Sequence, residues 1–311
     1  MNQFLRLVLM AGVYFIALSE NVVADPLADA FRAYEAKNYS KAAKLFKPLA
    51  QQGDTDAQFK LGKMYYYGNG VPQDYKEAAK WYLLSEKNGD AVTQTILGTM
   101  YDKGDGVPQN YEEAAKWYRL AAEQGDVLAQ GLLAGLYNNE KSGLHDYKEA
   151  AKWYRLAAAQ GDAHAKSSIA AISYFGHGVP QDYIEAAKWY RLAADEKDSF
   201  AQYMLGVMYS KGEGVPENHM EAAKWYRLAA SQGDSNAQAY LGSMYTLGDG
   251  VPQDYVMAHM WINLAAADAN NNEHERYVQL RNEIADHLSG DQILEAQKLA
   301  RECTARKFKG C

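Results

Sequence analysis

The residues of this 311-residue chain whose types could do chemistry are few and scattered. Its two cysteines, Cys303 and Cys311, bound the tail segment "CTARKFKGC". In an oxidising compartment they would close a disulfide, worth roughly 2 to 3 kcal/mol for so short a loop. The alternative is two free thiols, and a metal site is disfavoured because no His lies inside the loop. The seven histidines, at 145, 164, 177, 219, 259, 274 and 287, include no pair at helical ligand spacing and read as scattered surface residues. There is no Ser-x-x-Lys, Gly-x-Ser-x-Gly, His-Glu-x-x-His or Walker segment. Five Gly-x-Gly segments ("GNGVPQD", "GDGVPQN", "GHGVPQD", "GEGVPEN", "GDGVPQD") could suggest a phosphate cradle. They follow a helical pattern instead of a strand and recur, so they read as turns. Lys80, Lys116, Lys152, Lys188 and Lys224, with Arg119, Arg155, Arg191 and Arg227, form a basic stripe that could hold an anionic glycan, a lipid headgroup or an acidic partner. Each of these Lys has a Glu three residues earlier, which favours a solvated outer face with pairs worth about 0.2 to 0.5 kcal/mol each.

The elements that position these residues repeat. Trp81, Trp117, Trp153, Trp189, Trp225 and Trp261 are all the tryptophans present and stand 36 residues apart. Such a period indicates a stacked repeat array, so chain length does not count domains. Asp54, Asp90, Asp126, Asp162, Asp198 and Asp234 fit N-caps of one helix per repeat, with Gly53, Gly89, Gly125, Gly161 and Gly233 ending the helix before. Asp74, Asn110, Asp146, Asp182, Asn218 and Asp254 fit caps of a second helix. Glu77, Glu113, Glu149, Glu185 and Glu221 follow at capping-box spacing. The first pair is expected near 54–67 and 74–88. The small column Gly62, Gly98, Ala134, Ala170, Gly206 and Gly242 lets a neighbouring helix approach closely, and the tryptophans read as core, not as a cofactor box. The third repeat departs from the pattern: its turn reads "NEKSGLHD", and the next repeat has Ser173 where Tyr65, Tyr101, Tyr137, Tyr209 and Tyr245 stand. A weaker junction is expected near 138–175, because neighbour interfaces set local stability in an array.

The pattern Ala-x-x-x-Leu-Gly-x-x-Tyr, then Gly-x-Gly-Val, then Asp-x-x-x-Ala-x-x-Trp-x-x-x-Ala-Ala resembles the Sel-one-like repeat (SLR) family, relatives of the tetratricopeptide repeat. The resemblance implies an all-α fold: a right-handed α-solenoid of stacked antiparallel helix pairs whose concave face serves as a scaffold for protein partners. Six repeats are expected at 54–89, 90–125, 126–161, 162–197, 198–233 and 234–269. A helical pair at 25–53 precedes them, and capping helices with the Cys-containing tail occupy 270–311. The second capping helix should start at Ser289, with Gln292 as its box partner. If first helices line the concave face, Phe59, Tyr66, Tyr67, Tyr174, Phe175, Tyr203 and Tyr240 are candidate anchors for a partner, or else fill gaps between repeats.

The formal charge of -7 argues against a sequence-independent nucleic-acid binder. Residues 1–24 combine Arg6, an apolar run from Leu7 to Leu18, and a small-residue site ending at Ala24, as in a signal peptide. The run is short for a membrane span, so the expectation is a periodic-repeat protein delivered to the periplasm or secreted, with no membrane insertion after cleavage. Expected overall is an exported, non-catalytic scaffold for protein or peptide partners, with no cofactor and no metal. The alternatives are a cell-wall-related hydrolase or β-lactam-binding protein, and a secreted adhesin or effector acting on host proteins. Some cysteine-rich members of the family are described as β-lactam-binding and carry a disulfide in each repeat. This chain has no Cys between residues 25 and 302, which sets it apart from them.

Overall fold

The computed structural model describes residues 25–269, 271–308 and 310–311; the expected leader at 1–24 lies outside them. Among the described residues all regular structure is helical. Contacts divide the chain into two units, Met1–Gln109 and Asn110–Cys311. The first holds α1 (Pro26–Glu35), α2 (Tyr39–Gln51), α3 (Thr55–Tyr67), α4 (Tyr75–Ser85, running into a 3-10 turn at Glu86–Asn88) and α5 (Ala91–Lys103). The second holds α6 (Tyr111–Glu123), α7 (Val127–Asn138), α8 (Tyr147–Ala159), α9 (Ala163–Phe175), α10 (Tyr183–Asp195), α11 (Ser199–Lys211), α12 (His219–Ala230), α13 (Ser235–Leu247), α14 (Tyr255–Asp268), α15 (Asn271–Ala285) and α16 (Gly290–Ala305). Within each unit consecutive helices pack on one another as far as α15, so short antiparallel pairs stack in sequence order.

The first cap column behaves as expected. Asp54, Asp90, Asp126, Asp162, Asp198 and Asp234 each accept the amide of the residue three places on, at 2.6–2.8 Å. The residue before each is left-handed, with φ of 65° to 102° at Gly53, Gly89, Gly125, Gly161 and Gly233. Lys197 takes the same conformation in the remaining copy, at φ 70°. The second column also caps, but only half of the expected box forms. The amides of Asp74, Asp146, Asp182, Asn218 and Asp254 already donate to the carbonyls of Tyr65, Tyr137, Ser173, Tyr209 and Tyr245. With that amide taken, glutamates turn outward to the stripe, with Glu77–Lys80 at 3.3 Å, Glu149–Lys152 at 3.7 Å and Glu221–Lys224 at 2.5 Å; Glu113 pairs likewise with Lys116 at 2.6 Å. The complete box occurs at Ser289 and Gln292, opening α16 as expected.

The turn glycines explain themselves through packing. A Cβ on Gly106 would lie 2.1 Å from the Tyr75 carbonyl oxygen, and one on Gly214 would lie 2.2 Å from that of Tyr183. The second glycine of each turn therefore lets the turn rest on the start of the previous repeat's second helix. In the third repeat a 3-10 turn, Glu140–Ser142, replaces it. The buried Ser142 hydroxyl lies 2.8 Å from the Leu136 carbonyl and 2.7 Å from that of Asn139.

The deepest core column is the residue after each tryptophan, a tyrosine in the first five copies and Ile262 in the sixth. Tyr82, Tyr118, Tyr190, Tyr226 and Ile262 are fully buried and Tyr154 nearly so; Trp81, Trp153 and Trp261 are buried too, whereas Trp117, Trp189 and Trp225 are only half-buried. The reason is the small column opposite: a Cβ on Gly206 would meet the Tyr226 ring at 2.6 Å. At the end of the second unit both α15 and α16 pack on α14. Cys303 is buried and bonded to Cys311, and Phe308 between them packs against Gly233.

Candidate functional site

Two clefts stand at equivalent places in the repeat, one in each unit. The first, of about 430 Å³, lies by α3 and α5 and is lined by Phe31, Phe59, Lys60, Asp56, Asp90 and Val92 among others. The Lys60 ammonium sits 5.4 Å from the Phe31 ring centroid, 5.2 Å from Tyr34 and 6.0 Å from Phe59. The second, of about 480 Å³, lies by α9 and α11. Ser167, Ser168, His164, Asp198 and Phe200 line it at the register of Phe59, Lys60, Asp56, Asp90 and Val92 three repeats earlier. Its wall is a stack of rings: Phe175 on His177 at 5.5 Å, and His177 on Tyr147 at 4.7 Å, inclined by 22° and 24°. Phe175 and Phe200 remain 52% and 44% exposed.

A third and smaller cleft, about 230 Å³, is lined by Tyr203, Tyr240, Asn236, Arg276 and Tyr277. Phe200 is 6.4 Å from Tyr203, and Tyr203 is 5.9 Å from Tyr240. Tyr277 donates to Asn236 at 3.1 Å. In the second unit, therefore, rings on α9, α11, α13 and α15 join two clefts into one aromatic path.

The seven candidate anchors divide accordingly. Tyr67, Phe175 and Tyr240 are exposed, at 60%, 52% and 47%. Tyr203 and Phe59 are half-buried, Tyr203 against two core clusters and Phe59 edge-on to Tyr82 at 5.7 Å. Tyr66 and Tyr174 join repeats. Tyr66 donates to Asp105 at 3.0 Å and Tyr174 to Glu213 at 2.5 Å. Burial, and then the acceptor carboxylate, pushes the Tyr66 phenol up to about 12 and raises Tyr174 as well. Both are thus spacers between repeats. Phe200, Tyr147, His177, His164 and Tyr277 were missed, although the column Asp56, Val92, Leu128, His164, Phe200 and Asn236 varies as freely as those chosen.

Most of the basic stripe is paired. Arg119 and Arg191 donate to the hydroxyls of Tyr137 and Tyr209 in the following repeat, and Arg227 donates to Tyr245 at 2.7 Å. Where Ser173 replaces the tyrosine, Arg155 turns to Glu185 at 3.1 Å. Two histidines depart from the surface reading. His259 is buried on α14, and that burial, followed by the charge of Arg281, lowers its pKa. His219 lies between Glu217, 2.9 Å from Nε2, and Asp249, 2.8 Å from Nδ1. The Glu217 hydrogen bond raises its pKa against the opposing effect of burial, and Asp249 raises it further.

No relay for nucleophilic chemistry assembles in the larger cleft of the second unit. The Ser167 hydroxyl bonds Asp198 directly at 3.1 Å, with no imidazole between them to take its proton. Among the described residues no group of three or more His, Cys, Asp or Glu could hold a metal ion. No described helix is long and apolar enough to cross a membrane.

Helix pairs at a 36-residue period, with regular columns inside and variable residues lining clefts, define a repeat protein of the α-solenoid class. The Sel1 repeat family matches at residues 33–54, 55–90, 91–126, 127–162, 163–198, 199–234 and 235–270, and the chain belongs to that family. Sel1 repeat proteins are generally non-catalytic protein-interaction scaffolds. The chain is similar to a solved protective antigen present in uropathogenic Escherichia coli strains and displaying an SLR fold. They share 33% identity and a TM-score of 0.73 over 87% of this chain and 58% of that one. It is also similar to a Sel1 repeat protein from Oxalobacter formigenes, at 32% identity and TM-score 0.68 over 78% of this chain and 99% of that one. Comparison with curated protein sequences gives no significant match.

Proposed function

We propose that this is an exported, non-catalytic scaffold that binds an extended peptide segment of a protein partner along the first helices of its second unit. The observation that carries this is the path Phe175, Phe200, Tyr203, Tyr240 and Tyr277, which runs through two clefts on successive first helices. Rigid aromatic rings beside desolvated pockets are the anchors that dominate protein interfaces. Neighbouring first helices set about 8 to 10 Å apart carry such a path over roughly 20 Å, the reach of about six extended residues. Export rests on the leader-like residues 1–24 and on the Cys303–Cys311 bond, which an oxidising compartment would keep. Periplasm and secretion suit both equally, and the likeness to a protective antigen is consistent with either.

The test is selection of nine-residue peptides from a random library on the purified chain. Wild type should capture a defined set, and Phe175→Ala/Phe200→Ala/Tyr240→Ala should lose it while melting within a few degrees of wild type. Tyr203 is left out because it packs on the core. Capture that survives the triple substitution would overturn the reading.

A further inference from the structure

The equivalent clefts of the two units differ at two charged positions: Lys60 and Asp56 of the first stand where Ser168 and His164 stand in the second. In the first unit Lys60 occupies the cleft with its ammonium over three rings, beside the carboxylates Asp56 and Asp90. Three repeats later Ser168 stands in its place, and the cleft lining includes neither Lys nor Arg. The nearby Lys166 is no substitute: it is buried and held by Glu196 at 2.5 Å. What remains is a flat wall of stacked rings, Phe175, His177 and Tyr147, an exposed Phe200 ring, and the carboxylate of Asp198.

From this contrast we infer that the cleft of the second unit takes a cationic side chain, an arginine or lysine, from the bound peptide. This rests on the peptide-binding reading above and names the chemistry of its anchor. A cation over an aromatic face is attracted by the ring quadrupole, and planar guanidinium also stacks and reaches carboxylates in bidentate geometry. One Asp198 oxygen, Oδ1, accepts from the Ala201 amide at 2.7 Å and from the Ser167 hydroxyl at 3.1 Å, which fixes the carboxylate and leaves Oδ2 for a ligand. The capping carboxylate also offsets the positive end of α11, which would otherwise oppose a cation. The net charge of -7 favours the approach of a basic segment.

The same selection reads this directly. Captured nine-residue peptides should share one Arg or Lys position, and replacing that Arg by citrulline, which keeps shape and removes charge, should weaken binding about tenfold. Asp198→Asn should weaken it similarly while retaining the cap, since Asn218 already caps α12. Ser168→Lys, which gives the second cleft the resident cation of the first, should abolish selection of basic peptides at temperatures where the variant is folded, with a somewhat lower melting temperature because the hydrogen bond of Ser168 to the buried Tyr154 is lost. Peptides that depend on Phe175, Phe200 and Tyr240 yet show no basic position would overturn the inference and leave the groove standing. So would wild-type affinity in both Asp198→Asn and Ser168→Lys. Capture of nothing would end both.

Discussion

Set side by side, the α3/α5 cleft of the first unit and the α9/α11 cleft of the second share a frame and differ in lining. Asp90 and Asp198 cap their helices with equal geometry, at 2.8 and 2.7 Å. Gly106 and Gly214 press equally close on the helix starts behind them. Yet Phe59 and Lys60 in one become Ser167 and Ser168 in the other. Stability in such an array is set by the columns that every copy keeps, while selectivity is left to positions that packing does not constrain. The same separation holds in the buried glutamine column. Gln130 accepts from Gln160 at 2.9 Å and Gln202 from Gln232 at 2.8 Å. Between these two repeats the pair is Lys166 with Glu196, a matched exchange of both partners.

The largest effect should come from the frame. Gly106→Ala and Gly214→Ala each force a Cβ onto backbone at positive φ and should each cost about 3 kcal/mol in denaturant unfolding. Unequal costs would break the equivalence of the two clefts. Cys303→Ser/Cys311→Ser should cost roughly 2 to 3 kcal/mol, read as faster hydrogen exchange in α13, α14 and α16 with α3 to α5 unchanged. A double-mutant cycle of Lys166→Gln and Glu196→Gln should give a coupling of about 1 kcal/mol, because the double variant restores the glutamine pair of the neighbouring repeats. Lys197→Gly should stabilise by about 0.5 kcal/mol, since relief of left-handed strain slightly exceeds the added chain entropy. The smallest effect is electrostatic. The raised pKa of His219 means that its clasp on Glu217 and Asp249 is fully present below the ordinary imidazole value and is lost as pH rises through the raised one. Hydrogen exchange in α12 should quicken over that rise, and His219→Gln should flatten the dependence.

Most of the frame was legible because it recurs: six copies of one hairpin align in a single chain, and both cap columns fell where the spacing put them. Burial was legible in part: Trp81, Trp153 and Trp261 lie in the core as the ladder suggested, but Trp117, Trp189 and Trp225 are half-buried, because the small column admits the neighbouring tyrosines more deeply. The half-formed capping box was hidden because the amide of Asp74 is claimed by Tyr65, a contact between helices that spacing along one helix does not reveal. The site was legible only in part. Exposed Phe175 and Tyr240 stood out by type, but Tyr66 and Tyr174 look the same in sequence and are spent on Asp105 and Glu213 across the repeat boundary. His177 and Tyr147 meet only because consecutive turns stack. The irregular third turn had a visible signal, and faster exchange at residues 138–175 than in the regular repeats would show that its substitute 3-10 turn holds the junction less firmly.

Hydrogen exchange on the full chain, with and without a library-selected peptide, tests the division between frame and lining most directly. Added protection in α9, α11 and α13, with α8, α10 and α12 unchanged, is the predicted result. Protection confined to the second helices and their Lys and Arg stripe would contradict it.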